Sequence, residues 1–112
     1  MCDKLILVTR SDLSPAQQAV QTAHALRAFV EEHPAEDERW FTQSNTLALL
    51  SVEDEHALHQ LWCHALDEGV KASGFMEPDL DGAITALALE PGSGSRRLTR
   101  GLPLALDGGL SG

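Results

Sequence analysis

The chain has 112 residues, 43% of them apolar and 22% charged, a composition that fits one globular domain and leaves no room for a second core of similar size. Seventeen acidic residues against eight basic ones give a formal charge of −9, so the average field repels polyanions and keeps a small protein soluble. Two cysteines cannot build a disulfide framework, and no apolar run approaches the roughly 18 residues that a membrane span needs. The start, Met1-Cys2-Asp3-Lys4, lacks the basic and apolar segments of a signal peptide, so the expected compartment is the cytoplasm.

Leu5-Ile6-Leu7-Val8-Thr9 is a short apolar, β-branched run that suits a strand buried on both faces. Ser14-Pro15-Ala16-Gln17 is a helix start: Ser14 can cap, Pro15 fits the first helical position, and Gln17 can close a capping box. The helix is expected to run to about Glu32, with Ala19, Ala23, Leu26 and Val30 as its apolar stripe. Pro34 opposes continuation, and Glu31 to Arg39 reads as an exposed acidic loop.

Thr46 to Leu50 is the second strand. Ser51 is expected to cap a second helix whose apolar face is Leu58, Leu61, Trp62 and Ala65, with Gly69 at its C-terminal end. Lys71 to Met76 is a third strand interrupted by Gly74, and Ala83 to Leu89 is a stronger fourth. Gly92-Ser93-Gly94-Ser95 reads as a flexible connector. Leu102 to Leu106 is expected to pack on the body, and 107–112 to form a frayed tail. The order β-α-β-α-β-β predicts a single α/β domain over 1–106: a four-stranded mixed β-sheet flanked by helices.

Several groups could carry chemistry. Gln17, Gln21 and His24 share one helical face and could line a site or form a polar edge. Glu77, Asp79 and Asp81 lie in one turn-rich loop, where carboxylates could orient a water or simply be solvated. Thr85 follows on the fourth strand. Arg96, Arg97 and Arg100 form the densest basic cluster, able to hold a phosphate or to offset the acidic surface. His56, His59 and Cys63 share a face of the second helix, but no fourth ligand is evident and no metal site is expected. Neither a phosphate-binding glycine loop nor a Gly-x-Ser-x-Gly elbow is present, which argues against nucleotide hydrolysis and α/β-hydrolase chemistry.

The segments Arg10-Ser11-Asp12-Leu13, Gln21-Thr22-Ala23-His24-Ala25 and Thr85-Ala86-Leu87-Ala88-Leu89-Glu90-Pro91 occur in an order that resembles the archaeal/eukaryotic-type (type two) peptidyl-tRNA hydrolases. Trp40 and the closing Leu98 to Leu104 extend the resemblance to about residues 4 to 106. It implies a dimeric protein that cleaves the ester between a peptide and the tRNA 3′ end without a metal or other cofactor. In that reading Asp79 or Glu77 orients a water, while Gln17, His24 and Thr85 bind or polarise the ester. Gln21 is a further matching position, and Arg96, Arg97 and Arg100 meet phosphate. Two elements depart from the family pattern. Ser14-Pro15-Ala16-Gln17 stands where the family carries a lysine-bearing Gly-Lys-Gly-Lys stretch, and Phe75-Met76-Glu77-Pro78-Asp79 replaces its Asp-Ala-Gly-Arg-Thr-Gln loop. The alternative expectation is therefore a non-catalytic relative whose cleft binds a peptide, a metabolite or a protein partner.

Overall fold

A computed structural model describes residues 3–106. Its order is β1 (Leu5–Arg10), α1 (Pro15–Glu32), α2 (Pro34–Gln43), β2 (Leu47–Val52), α3 (Glu55–Asp67), β3 (Ala72–Glu77), a 3-10 turn (Pro78–Leu80), β4 (Ala83–Leu89) and α4 (Ser93–Leu98). The four strands form one mixed sheet in the order β2-β1-β4-β3. β1 pairs parallel with β2, from Leu5 opposite Leu47 to Arg10 opposite Val52. β4 runs antiparallel to both β1 and β3. The expected α/β class, mixed sheet and four strands are all present. The tail at 107–112 lies outside the described residues.

Side-chain alternation divides the core into two layers. Ile6, Val8, Leu87 and Leu89 face α3, where Leu58, Leu61 and Ala65 close the core. Leu5, Leu7, Ala86 and Ala88 face α1 and α2 and meet Ala25, Phe29 and Trp40. Burying each large apolar side chain contributes on the order of 1.5–3 kcal/mol, so both layers are needed to offset the chain's ordering entropy.

α1 begins as its sequence requires. The Ser14 hydroxyl accepts from the Gln17 N–H at 3.2 Å, and the Gln17 side-chain oxygen accepts from the Ser14 N–H at 3.1 Å. Its buried face, however, is Gln18, Gln21, Thr22, Ala25 and Phe29 rather than the expected Ala19, Ala23, Leu26 and Val30. The polar members are buried because each has a partner. Gln18 donates to the Leu13 carbonyl at 2.8 Å, and the Thr22 hydroxyl donates back to the Gln18 and Ala19 carbonyls. Counting apolar residues therefore selects the wrong stripe.

Three other boundaries differ from expectation. Glu31–Arg39 is not a loop. α1 ends at Glu32, and α2 starts at once with Pro34 in its first turn and Glu36 and Asp37 beside it, all favourable at a helix N-terminus. α2 then buries Trp40, whose indole N–H donates to the Thr46 carbonyl at 2.6 Å. Ser51 does not cap α3. The ladder with β1 holds it in β2, and Asp54 caps instead, accepting from the Ala57 N–H at 3.0 Å. The Gly92–Ser95 stretch is not a flexible connector, because Ser93 to Leu98 coil into α4. The buried Ser95 hydroxyl donates to the Glu90 carbonyl, and Leu98 packs on the α3 layer. Gly94 permits that approach, since a Cβ there would stand 2.9 Å from a Val70 methyl.

Gly74 has a similar purpose in β3: a Cβ there would stand 2.9 Å from the Trp62 ring. Gly69 ends α3 with φ +73°, the left-handed conformation that glycine tolerates. The 102–106 segment does pack on the body. Pro103 O accepts from the Ser51 N–H and the Ala105 N–H donates to Leu49 O, which covers part of the β2 edge.

Candidate functional site

At the C-terminal end of β1, the end of β3, the start of β4 and the first turns of α1 converge. In open α/β sheets, ligands bind outside the carboxyl ends of strands. Here a groove of about 280 Å³ is lined by Leu13, Ala16, Gln17, Val20, Gln21, Glu77, Asp79 and Leu80.

Its organising contact is a polar relay from core to surface. Thr85 is fully buried on β4, and its hydroxyl donates to the Gln21 side-chain oxygen at 2.6 Å. The Gln21 amide N–H donates to Glu77 Oε1 at 2.9 Å. Glu77 Oε2 accepts from the Asp79 backbone N–H at 3.2 Å. An ionised carboxylate only accepts, so Glu77 fixes which end of the Gln21 amide faces it, and Thr85 meets the other end. The Gln21 hydrogen bond, the Asp79 N–H and, more weakly, the charge of His24 hold the Glu77 carboxyl below the ordinary carboxylate range; burial opposes them. Thr85 is anchored in turn: its carbonyl accepts from the buried Thr9 hydroxyl at 3.0 Å.

Arg10 fixes the chain beside this relay. Its guanidinium makes two hydrogen bonds to Asp12, each 3.0 Å, and a third to the Ile84 carbonyl at 3.1 Å. The Asp12 hydrogen bond raises the Arg10 pKa, so Arg10 remains cationic and tied to structure rather than free in the groove.

The structure brings Gln17, Gln21, Glu77 and Asp79 to one groove and places Thr85 directly beneath it. None of the Thr85 surface is exposed, and its hydroxyl lies within hydrogen-bond distance of the Phe75 carbonyl, 3.2 Å, as well as of Gln21. Gln17 shares its oxygen with the capping box, which leaves its amide N–H groups without a partner among the described residues. Asp79 is exposed at the groove mouth. His24 lies beside the groove rather than in its lining, stacked on Phe75 with ring centroids 4.3 Å apart and planes 11° apart.

Arg96, Arg97 and Arg100 are not brought to the groove. α4 packs with α3, on the other face of the sheet from α1. Arg96 pairs there with Asp3 and Arg97 with Glu68, while Arg100 is exposed. His59 and Cys63 are exposed on α3, with Cys63 Sγ 3.8 Å from His59 Nδ1. Among the described residues, no three His, Cys, Asp or Glu side chains are arranged to hold a metal ion. Sequence reasoning missed the apolar groove wall of Leu13, Val20 and Leu80 and the aromatic support from Phe75. Val20 was the available signal, an aliphatic residue on the side of α1 that the core does not use.

A mixed four-stranded sheet, with a polar relay reaching a groove at its strand ends, defines an α/β domain with a cleft beside α1. Residues 3–104 match the family model described as Peptidyl-tRNA hydrolase PTH2, and the chain belongs to that family. Among solved structures, a protein of unknown function from Agrobacterium tumefaciens str. C58 matches with a TM-score of 0.69 and 16% sequence identity, covering 93% of this chain and 98% of that one. At that identity the likeness concerns the fold. A comparison with curated proteins gives no match. No helix among the described residues is long and apolar enough to cross a membrane.

Proposed function

We propose that this protein hydrolyses the ester joining a peptide to the 3′ end of tRNA, using the groove between α1 and the β3–β4 connection. Family membership motivates the reaction class, and the Thr85–Gln21–Glu77 relay is the observation that carries the site assignment. In this reading a water sits against the Glu77 and Asp79 carboxylates. One of them takes its proton as the water oxygen attacks the ester carbonyl. The amide N–H groups of Gln17, and the second one of Gln21, donate to the carbonyl oxygen as it gains charge. Collapse of the tetrahedral intermediate breaks the bond to the ribose 3′ oxygen, which takes a proton and leaves as free tRNA. Neutral amide donors stabilise an oxyanion less than a lysine would, so slow turnover is expected. The protein is expected to act in the cytoplasm, and a homodimer belongs to the same proposal; light scattering on the purified protein tests the dimer.

The test is release of tRNA from a formyl-methionyl ester, without added metal, at two salt concentrations. Turnover by wild type that falls at least 100-fold in Asp79→Asn or Glu77→Gln supports the reading. Background rates from folded wild-type protein overturn it.

A second reading is a non-catalytic relative whose groove binds a ligand. The observation favouring it is that no lysine or arginine lines the groove and the basic cluster lies on the opposite face. Its signature is absence of turnover together with a ligand that raises Tm; a ligand at 100 times its Kd adds about 2.7 kcal/mol of stability.

A further inference from the structure

We infer that His24 and Phe75 form a stacking platform for a nucleobase, so that the groove recognises the terminal nucleoside of its substrate through a π-face rather than through phosphate. This rests on the hydrolase reading for the identity of the substrate but on separate residues for its geometry.

The platform is layered. Phe75 packs on the core layer of Leu5, Leu7, Phe29 and Ala86. His24 lies nearly parallel on Phe75, with centroids 4.3 Å apart, and is itself exposed. One face of the imidazole is thus supported from below, while the residue as a whole is exposed to solvent. A ring held flat by a core-anchored neighbour has already lost much of its rotamer freedom, which lowers the entropic cost of stacking a third ring on it. Every nucleobase has a π-face, and base–aromatic stacking needs no positive field. That matters in a chain of net charge −9 whose groove presents no lysine or arginine.

The position suits one nucleoside. His24 is three residues after Gln21, and Phe75 two residues before Glu77. Gln21 and Glu77 are hydrogen-bonded to each other, as His24 and Phe75 are stacked on each other, so platform and carboxylate are adjacent rungs of one α1–β3 contact. Their separation is about one helical turn, ~5.4 Å, the scale of the span from a ribose 3′ oxygen to its own base. With the ester at Glu77 and Asp79, the base attached to the same ribose reaches His24. Every tRNA ends in adenosine, so the expected occupant is adenine. Val20, exposed one turn before His24, offers the sugar an apolar neighbour.

The experiment titrates adenosine, then cytidine, into the 13C-labelled protein and follows the His24 ring protons by NMR. Adenosine is expected to move them upfield by ring current, with cytidine weaker. His24→Ala should weaken adenosine binding about 5- to 150-fold, the range typical of one stacked base, and His24→Phe should restore it. With formyl-methionyl-tRNA, His24→Ala should raise KM and His24→Phe should lower it again. An imidazole that transfers a proton would instead lose kcat in both variants. Absence of an adenosine shift, or failure of His24→Phe to rescue binding, overturns the platform even if the ester is cleaved. An adenosine shift in a protein that leaves the ester intact supports the platform and removes the hydrolase reading.

Discussion

The two faces of the sheet solve the burial problem differently. The face toward α3 is closed by Ile6, Val8, Leu58, Leu61, Leu87 and Leu89. The face toward α1 also has an apolar layer, around Phe29, but near the strand ends it buries Thr9, Gln18, Gln21, Thr22 and Thr85. A buried hydroxyl or amide is costly unless it is hydrogen-bonded, and each of these five makes at least one hydrogen bond. The comparison teaches where the molecule spends its polar groups. The sheet face toward α3 is closed by apolar packing, its buried hydroxyls Ser95 and Thr99 lying in and just after α4, while the other gives up apolar contact near the groove to aim Gln21 at Glu77.

The largest effect that would break this contrast is a cavity in the apolar face. Leu58 is fully buried. Leu58→Ala should cost about 2–5 kcal/mol, read from the denaturant midpoint. It should leave ester turnover per folded molecule close to wild type, because α3 contributes nothing to the groove lining. A stable Leu58→Ala protein with lost turnover would mean that the two faces are not separable.

The matching change on the polar face is Thr85→Val. It keeps the shape but removes the hydroxyl that meets Gln21 and leaves the Gln21 oxygen unpaired near the core. The stability loss should be smaller, about 1–3 kcal/mol. Turnover should fall on the order of 100-fold, since Gln21 can then rotate away from Glu77. Thr85→Ser, which retains the hydroxyl, should recover most of that rate. Equal losses in Thr85→Val and Thr85→Ser would show that Thr85 matters only for packing.

The same contrast explains which parts were legible in the sequence. The apolar face follows simple periodicity: Leu58, Leu61 and Ala65 were read correctly, as were the strand at Ala83–Leu89 and the capping box at Ser14. The polar face defeats that method. Gln18, Gln21 and Thr22 are buried through partners that are distant in the chain or on the preceding turn, so hydropathy assigned α1 to its neighbouring stripe. α2 was missed because an acidic, Pro-led segment resembles a loop, although proline and acids are what a helix start favours. Sequence order also misled for Arg96, Arg97 and Arg100. They follow β4 closely, yet α4 carries them to the α3 side, where two of them are occupied by Asp3 and Glu68.

The smallest effect is also the most specific to the relay, and its sign follows from the position of Glu77. The Gln21 amide, then the Asp79 N–H, stabilise the ionised carboxylate, so its folded-state pKa lies below the unfolded value of about 4.3. A depressed pKa contributes stability that is present above the unfolded value and disappears as pH falls through the folded one. Glu77→Gln has no such group. The Tm difference between wild type and Glu77→Gln should therefore be constant from about pH 7 to 5 and should shrink toward pH 3. Gln21→Ala should flatten most of that dependence, because it removes the largest cause while leaving the carboxylate in place. A wild-type curve parallel to Glu77→Gln across the whole range would mean that Glu77 is simply solvated. The groove would then lack a preorganised carboxylate, and with it the strongest physical reason for assigning it hydrolysis.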